Sequence, residues 1–271
     1  MSTLDAVYAT CARALARRAL SASSSSSSSS SSAAAHVGAR AAREIADALD
    51  RVRLADVSRA LTAYASRARE RAAAGSRAPL QPCVTYLRLR AETEYSIGAF
   101  VFDASQKIPL HNHPGMTVFM RALFGDADVA SYDLVSCVDA SGESVETHLS
   151  ATDAREGRGR TFEARFAGRA RLSGAVDDDD ETSSMMTLTP NRGNVHSITA
   201  MTACAILEVQ TPPYAVGRGR DCHYFEIVDA AAEAAAEDVG EVRVFGDRSG
   251  VRTLLREIAP PPSFVCGRFP S

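Results

Sequence analysis

Apolar residues recur along this chain at two different periods, and the change falls near residue 80. Leu4, Val7, Tyr8, Cys11 and Leu15 return every three or four positions, with Arg13, Arg17 and Arg18 elsewhere around the turn, which predicts an amphipathic helix. Ile45, Leu49 and Val52 mark a second helix. Between them Ser23–Ser32 is an unbroken serine run followed by alanines, a low-complexity linker that cannot bury apolar surface. Ala60–Ala78 is rich in Ala and Arg, lacks a clear core stripe over its last part, and reads as a loosely held connection. From Cys83 the period becomes two: Thr85, Leu87 and Leu89 alternate with Tyr86, Arg88 and Arg90.

Further strands are predicted over Tyr95–Phe102, Thr117–Leu123, Asp128–Ser136, Phe162–Leu172, Met185–Leu188, Val195–Thr199 and Cys204–Gln210, with shorter ones at Tyr224–Val228 and Arg243–Phe245. Many short strands separated by Gly and Pro turns predict a mainly β sandwich or jelly-roll barrel. Ser141–Arg160 and Asp177–Ser184 are charged stretches expected as surface loops, and Ala230–Glu237 is a short alanine-rich helix. The division implied is a helical region with a Ser-rich linker, residues 1–80, packed on a β domain of residues 81–271.

Composition narrows the class. The chain has 271 residues, 45% of them hydrophobic, enough for a packed core. A net charge of −3 offers no global basic field for nucleic acid. No apolar run reaches the roughly 18 residues of a transmembrane helix, so no membrane span is expected. The six cysteines (Cys11, Cys83, Cys137, Cys204, Cys222 and Cys266) show no C-x-x-C spacing and read as free thiols in a reducing compartment.

The chemistry lies with the histidines. His111 and His113 stand at i and i+2 on an extended segment, so both point to one face, where two imidazoles converge on one metal ion. Pro190-Asn191-Arg192-Gly193-Asn194-Val195-His196 is a proline–glycine turn that delivers a third histidine to a new strand. Three of the chain's six histidines fall on this pattern, which resembles the two metal-binding motifs of the cupin barrel, H-x-H and P-(x)-G-x-x-H. Where the first cupin motif usually carries a glutamate, this chain has Thr117 and Val118. That leaves three neutral imidazoles and no carboxylate, which argues against a 2-oxoglutarate enzyme with its H-x-D motif. Such a face keeps the metal's full charge and favours an anionic ligand such as a thiolate.

Pro109-Leu110-His111-Asn112-His113-Pro114-Gly115-Met116-Thr117-Val118 is similar almost letter for letter to the signature of the plant cysteine oxidases and animal 2-aminoethanethiol (cysteamine) dioxygenases, one thiol dioxygenase family. Leu123-Phe124-Gly125, Ser131-Tyr132-Asp133, Gly193-Asn194-Val195-His196, Ala205-Ile206-Leu207-Glu208-Val209, Pro212-Pro213-Tyr214 and Gly219-Arg220-Asp221-Cys222-His223-Tyr224-Phe225 continue the resemblance in order. It runs from about Leu4 to the C-terminal Leu255-Arg256-Glu257-Ile258-Ala259-Pro260-Pro261, interrupted by low-complexity insertions. It implies a cupin-type jelly-roll barrel holding Fe(II) on His111, His113 and His196.

The resemblance also singles out four more residues. Cys222 and Tyr224 stand at i and i+2, where animal members have a cysteine–tyrosine pair that can join through a thioether. They are read either as that crosslink or as a small thiol and an aromatic ring packed near the active-site wall. Glu208 replaces the family's usual aspartate, a carboxylate important for activity. It is read either as a partner for a substrate ammonium, which is costly to bury unpaired, or as a structural carboxylate. Tyr214 either bonds to an oxygen ligand of the iron or lines the substrate mouth, or is a strand-end aromatic. By alternation His223 faces away from Tyr224 and is read as structural or surface, and His36 and His148 lie in low-complexity or loop sequence. The acidic run Asp177–Glu181 reads as a solvated loop, balanced by Arg155, Arg158 and Arg160.

The function implied is an Fe(II)-dependent thiol dioxygenase that places both atoms of O2 on a thiol, giving a sulfinic acid, with no nicotinamide or 2-oxoglutarate. The expected substrate is a protein or peptide with an N-terminal cysteine, marked for degradation in an oxygen-sensing N-degron pathway. The alternatives are cysteamine or another small aminothiol, and a non-catalytic metal-binding cupin. A monomer in the cytosol with access to the nucleus is expected, although Arg- and Ser-rich residues 1–32, with Asp5 their sole acid, also resemble an organelle transit peptide.

Overall fold

Helices come first along the chain. In the computed structural model, which describes residues 2–22, 37–138, 144–145, 159–174, 182–228 and 252–270, α1 spans Thr3–Ala22, α2 Ala39–Asp50, α3 Leu54–Val57 and α4 Arg59–Ala73. The serine run, His36, His148, Arg155, Arg158, the acidic run, the Ala230–Glu237 helix and the Arg243–Phe245 strand lie outside the described residues. The stripe expected for α1 is buried as Leu4, Val7, Cys11 and Leu15, and α2 buries Ile45 and Leu49.

The segment expected as a loose connection is instead α4, and its core stripe is Leu61, Tyr64, Ala65 and Ala68. These positions follow i, i+3, i+4 and i+7, but two are alanines among arginines, so the apolar signal is faint. Ser58 caps the helix by accepting from the amides of Ala60 and Leu61. The Tyr64 hydroxyl donates to Asp103 Oδ1 at 2.8 Å, and Asp103 Oδ2 accepts the amides of Leu80 and Gln81 at 2.7 Å each. Asp103 therefore fastens α4 and the segment that follows it to the end of a strand. Tyr64→Phe should cost about 1.5–3 kcal/mol in a urea melt, because it strips a donor from a buried carboxylate while the ring stays packed. A loss under about 0.5 kcal/mol would show that the fastening lies elsewhere.

The strands form two sheets. The first has the order β14-β1-β2-β11-β4-β9 and contains β1 (Val84–Ala91), β2 (Ser96–Phe102), β4 (Thr117–Phe124), β9 (Met185–Leu188), β11 (Cys204–Thr211) and β14 (Cys266–Arg268). The second has the order β6-β5-β10-β3-β12-β13-β7-β8 and contains β3 (Lys107–Asn112), β5 (Asp126–Val138), β6 (Ser144–Val145), β7 (Thr161–Ser173), β8 (Thr182–Ser183), β10 (Val195–Ala200), β12 (Tyr224–Ile227) and β13 (Arg252–Ile258). β5 also pairs with β7, so the second sheet curls back on itself. This is the mainly β, two-sheet architecture expected. Within the stretches expected as loops, β6 and β8 make short pairings with β5 and β7.

Burial explains why β11 is apolar at most positions instead of alternating. Its outward Ala205, Leu207 and Val209 pack with the helices, and its inward Cys204 and Ile206 pack between the sheets. Every residue of β11 is buried. Each buried Leu, Ile or Val in these layers contributes roughly 1.5–3 kcal/mol by the area it removes from water. Two inward residues of β11 break the apolar pattern, and they are Glu208 and Gln210.

Candidate metal centre

His111 and His196 are direct cross-strand partners on β3 and β10, and Tyr224 of β12 is the partner of His111 on its other side. Directly opposed residues share a face, so one row of the second sheet carries an aromatic ring and two imidazoles. His113 follows two residues after His111 and returns to that face. A register shift between His196 and Ile198 shows β3 bulging at Pro109 and Leu110, so that Ile108 and His111 both face the interior. Bulges of this kind re-aim side chains beside sites.

The three rings converge. Ring centroids are 5.0 Å apart for His111 and His113, 4.6 Å for His111 and His196, and 5.0 Å for His113 and His196. One ring nitrogen from each lies within 4.8 Å of the others. His111 Nε2 and His113 Nε2 are 3.2 Å apart. Two nitrogens each about 2.1 Å from one ion at a right angle would be about 3.0 Å apart, so the spacing suits a shared metal.

The donor state fits as well. All three rings are buried, and burial lowers the pKa of His111 to about 4 and holds those of His113 and His196 well below the usual range. Neutral imidazoles are the coordinating form. His111 Nδ1 lies 2.9 Å from the Pro109 carbonyl, which assigns its proton there and turns the Nε2 lone pair to the cluster. Among the described residues His113 Nδ1 and both ring nitrogens of His196 are buried without a hydrogen-bond partner of normal geometry, apart from a contact of His196 with the Asn194 backbone. Buried polar atoms left unsatisfied are costly, and a cation among them removes that cost. By its donor set the cluster could hold a metal ion, and among the described residues no carboxylate joins it.

Residues that the sequence pattern does not mark position the histidines. Asn194 accepts the His113 amide at 3.1 Å and donates to the His113 carbonyl at 2.7 Å, clamping that residue from both sides. Asp133 accepts the Gly193 amide at 2.5 Å, fixing the turn before His196. Asn112 lies between the first two histidines and accepts the His223 amide at 2.9 Å through Oδ1. His223 faces away from Tyr224, as alternation predicts, and pairs with the buried Glu257, which also holds Arg160. Asn194 and Asp133 stand inside quoted motifs, but nothing local tells which partner each takes.

The remaining candidates surround the cluster. The Tyr214 ring lies 5.0 Å from His113, and its hydroxyl donates to the Asn112 carbonyl at 2.7 Å. Burial, then Cys222, raises this phenol well above its ordinary value. Cys222 lies just before β12 and is exposed as a residue, but burial of its thiol raises it to about 11, against the opposing pull of hydrogen bonds with the hydroxyls of Tyr214 and Tyr224. The Tyr224 ring is 6.3 Å from His111. Glu208 stands on the facing sheet, 3% exposed, and Oε2 accepts from Gln210 at 3.1 Å. Burial pushes its carboxyl up to about 7. Its charge is felt at Tyr214, which ties it electrically to the neighbourhood of His113.

A model of the PCO_ADO family matches residues 48–271, a narrower span than the Leu4 start that the motifs suggest. The chain is 38% identical over 151 residues to plant cysteine oxidase 1 of Arabidopsis thaliana, covering 56% of this chain and 44% of that protein. It is 32% identical over 152 residues to 2-aminoethanethiol dioxygenase of Homo sapiens, covering 56% of this chain and 55% of that protein. The chain thus spans about half the length of the curated relatives it matches. A solved RmlC-like cupin protein from Desulfovibrio desulfuricans shares 13% identity over 48% of this chain and 84% of its own, with a TM-score of 0.26.

Proposed function

The chain belongs to the PCO_ADO family, and from that premise we propose that it is an iron-dependent thiol dioxygenase acting on an N-terminal cysteine. The observation that carries this reading is the all-imidazole cluster of His111, His113 and His196, buried and joined by no carboxylate among the described residues. Fe(II) held there would supply coordination for a thiolate and for dioxygen on a centre that keeps its full positive charge. The net reaction adds both atoms of O2 to the thiol sulfur, giving a sulfinic acid, and the thiol supplies the electrons.

The protein's own part is positional. Burial keeps the imidazoles unprotonated, the Pro109 carbonyl fixes the tautomer of His111, and Asn194 holds His113 in place. Tyr214 commits its proton to the Asn112 carbonyl and so serves as wall beside His113. Met120 and Ile206, buried between the sheets, flank Glu208 and help exclude water. Glu208 faces this space from the opposite sheet and receives the substrate's amino group. A second reading, a small aminothiol as substrate, draws support from the similarity to human 2-aminoethanethiol dioxygenase.

A peptide that begins with cysteine should gain about 32 mass units on incubation with the protein and air, two oxygen atoms per thiol. The same peptide with an acetylated amino terminus should react poorly. Cysteamine in a parallel incubation ranks the two readings by rate. No gain on either substrate with iron-loaded protein would sink the dioxygenase reading, and equal rates on free and acetylated peptides would remove the amino contact.

A further inference from the structure

Gly98 of β2 stands directly opposite Glu208 of β11. It is not among the glycines with positive φ, so backbone conformation does not require glycine there. A Cβ at this position would lie 2.1 Å from the Tyr86 hydroxyl oxygen and 2.2 Å from the ring carbon that bears it. The Tyr86 phenol therefore fills the space that any larger residue at 98 would occupy. Tyr86 is the partner of Phe100 across β1 and β2, which makes Gly98 its diagonal neighbour, within reach of an aromatic side chain. The Phe100 ring, 4.7 Å away, backs it.

Opposed residues share a face, so Glu208 rises on the side of the sheet where the phenol crosses Gly98. Among the described residues the hydroxyl takes no hydrogen-bond partner. After burial, Glu208 is the next cause of the raised pKa of this phenol, which reaches about 12 and so stays protonated at neutral pH. A carboxylate with one oxygen already bonded to Gln210 and a phenol oxygen without a protein partner among the described residues thus share the inward face of the first sheet.

The geometry points to Tyr86 as a specificity-determining residue that, together with Glu208, binds the amino end of the substrate opposite the metal cluster. This deepens the reading of Glu208 given above and rests on it. An ammonium brings three donors and a charge out of water, so one carboxylate oxygen leaves it undersatisfied. The phenol oxygen accepts a second hydrogen bond, and the ring presents π density to the cation. Gly98 is the device that admits the ring.

The test compares two thiol peptides on the full chain, without oxygen, by calorimetry. One peptide begins with cysteine, and the other carries 3-mercaptopropionyl in its place and so lacks only the amino group. The parent should bind the first more tightly than the second. Tyr86→Phe should weaken the first about tenfold, the value of one hydrogen bond to a charged group, and leave the second unchanged. Gly98→Ala, whose new methyl displaces the phenol, should reproduce that pattern, with iron content and melting temperature of Tyr86→Phe as in the parent. Equal loss on both peptides, or no loss in Tyr86→Phe, overturns the proposal. Selective binding by a parent that forms no sulfinic acid would sink the dioxygenase reading and support the subsite. Turnover by a parent that binds both peptides equally would do the reverse.

Discussion

His111→Ala and His196→Ala should purify as folded proteins with metal affinity reduced more than about 100-fold, and sulfinic acid formation should fall at least as far. Losing a residue that merely supports a ligand typically costs 10–100-fold in affinity, and these variants remove a ligand itself. The fold should survive because the ring nitrogens of His196 bond to little else: both are buried without a normal partner among the described residues. Removing the ring takes unsatisfied groups out of the core while opening a cavity, and the two effects oppose each other. Elemental analysis reads iron content, and a thermal melt reads the linkage. Metal that binds only the folded state raises stability, so stripping iron with a chelator should lower the melting temperature of the parent and leave His196→Ala unmoved. A variant that folds and keeps full iron would refute the ligand assignment.

The histidine cluster was legible because its geometry is local. An i, i+2 pair on a strand shares a face whatever the rest of the chain does, and a Pro–Gly turn announces where the next strand starts. What the spacing did not disclose was the bulge at Pro109 and Leu110 that aligns His111 with Ile108. Nor did it disclose Asn194, whose two bonds reach a residue 81 positions away. Side-chain to backbone contacts over such separations are created by the tertiary fold and leave no periodic trace.

Missed elements have equally specific causes. β13 reads poorly as a strand because its buried positions are Thr253, Leu255 and Glu257, while Leu254 is 38% exposed. Alternation is present, but polar residues occupy the buried face: Glu257 is there to hold His223 and Arg160. β14 is three residues long and is held by parallel pairing to β1, too short for any pattern. α4 was obscured by alanines that count for little on a hydropathy scale but suffice where a helix lies close to a sheet. In the sequence Tyr86 stands only as the polar phase of a strand. Its significance comes from Gly98, a glycine with no turn to explain it.

Glu208→Gln should lower kcat/KM for a cysteine-initiated peptide by roughly thirty- to several-thousand-fold at unchanged iron content, the cost of removing one partner of a buried hydrogen-bonded charge pair. The amide keeps the size and one hydrogen bond of the side chain but not its charge. Folding should therefore be little disturbed; it should even gain slightly, since a carboxylate in this setting is costly to ionise. Burial raises the Glu208 carboxyl to about 7 in the free protein, so the charged form is populated above that pH. If the carboxylate is the active form, kcat/KM rises with pH through a limb near 7, and the Gln variant loses that limb. Glu208→Asp restores the shorter residue that the resembling family usually carries and should stay active, with the free-amino over acetylated preference altered by the missing methylene. A Gln variant that turns over as fast as the parent, with the same pH limb, would make Glu208 a structural partner of Gln210. In that case the extra methylene is the physical reason, because it carries the carboxylate past the point where an aspartate would meet the substrate.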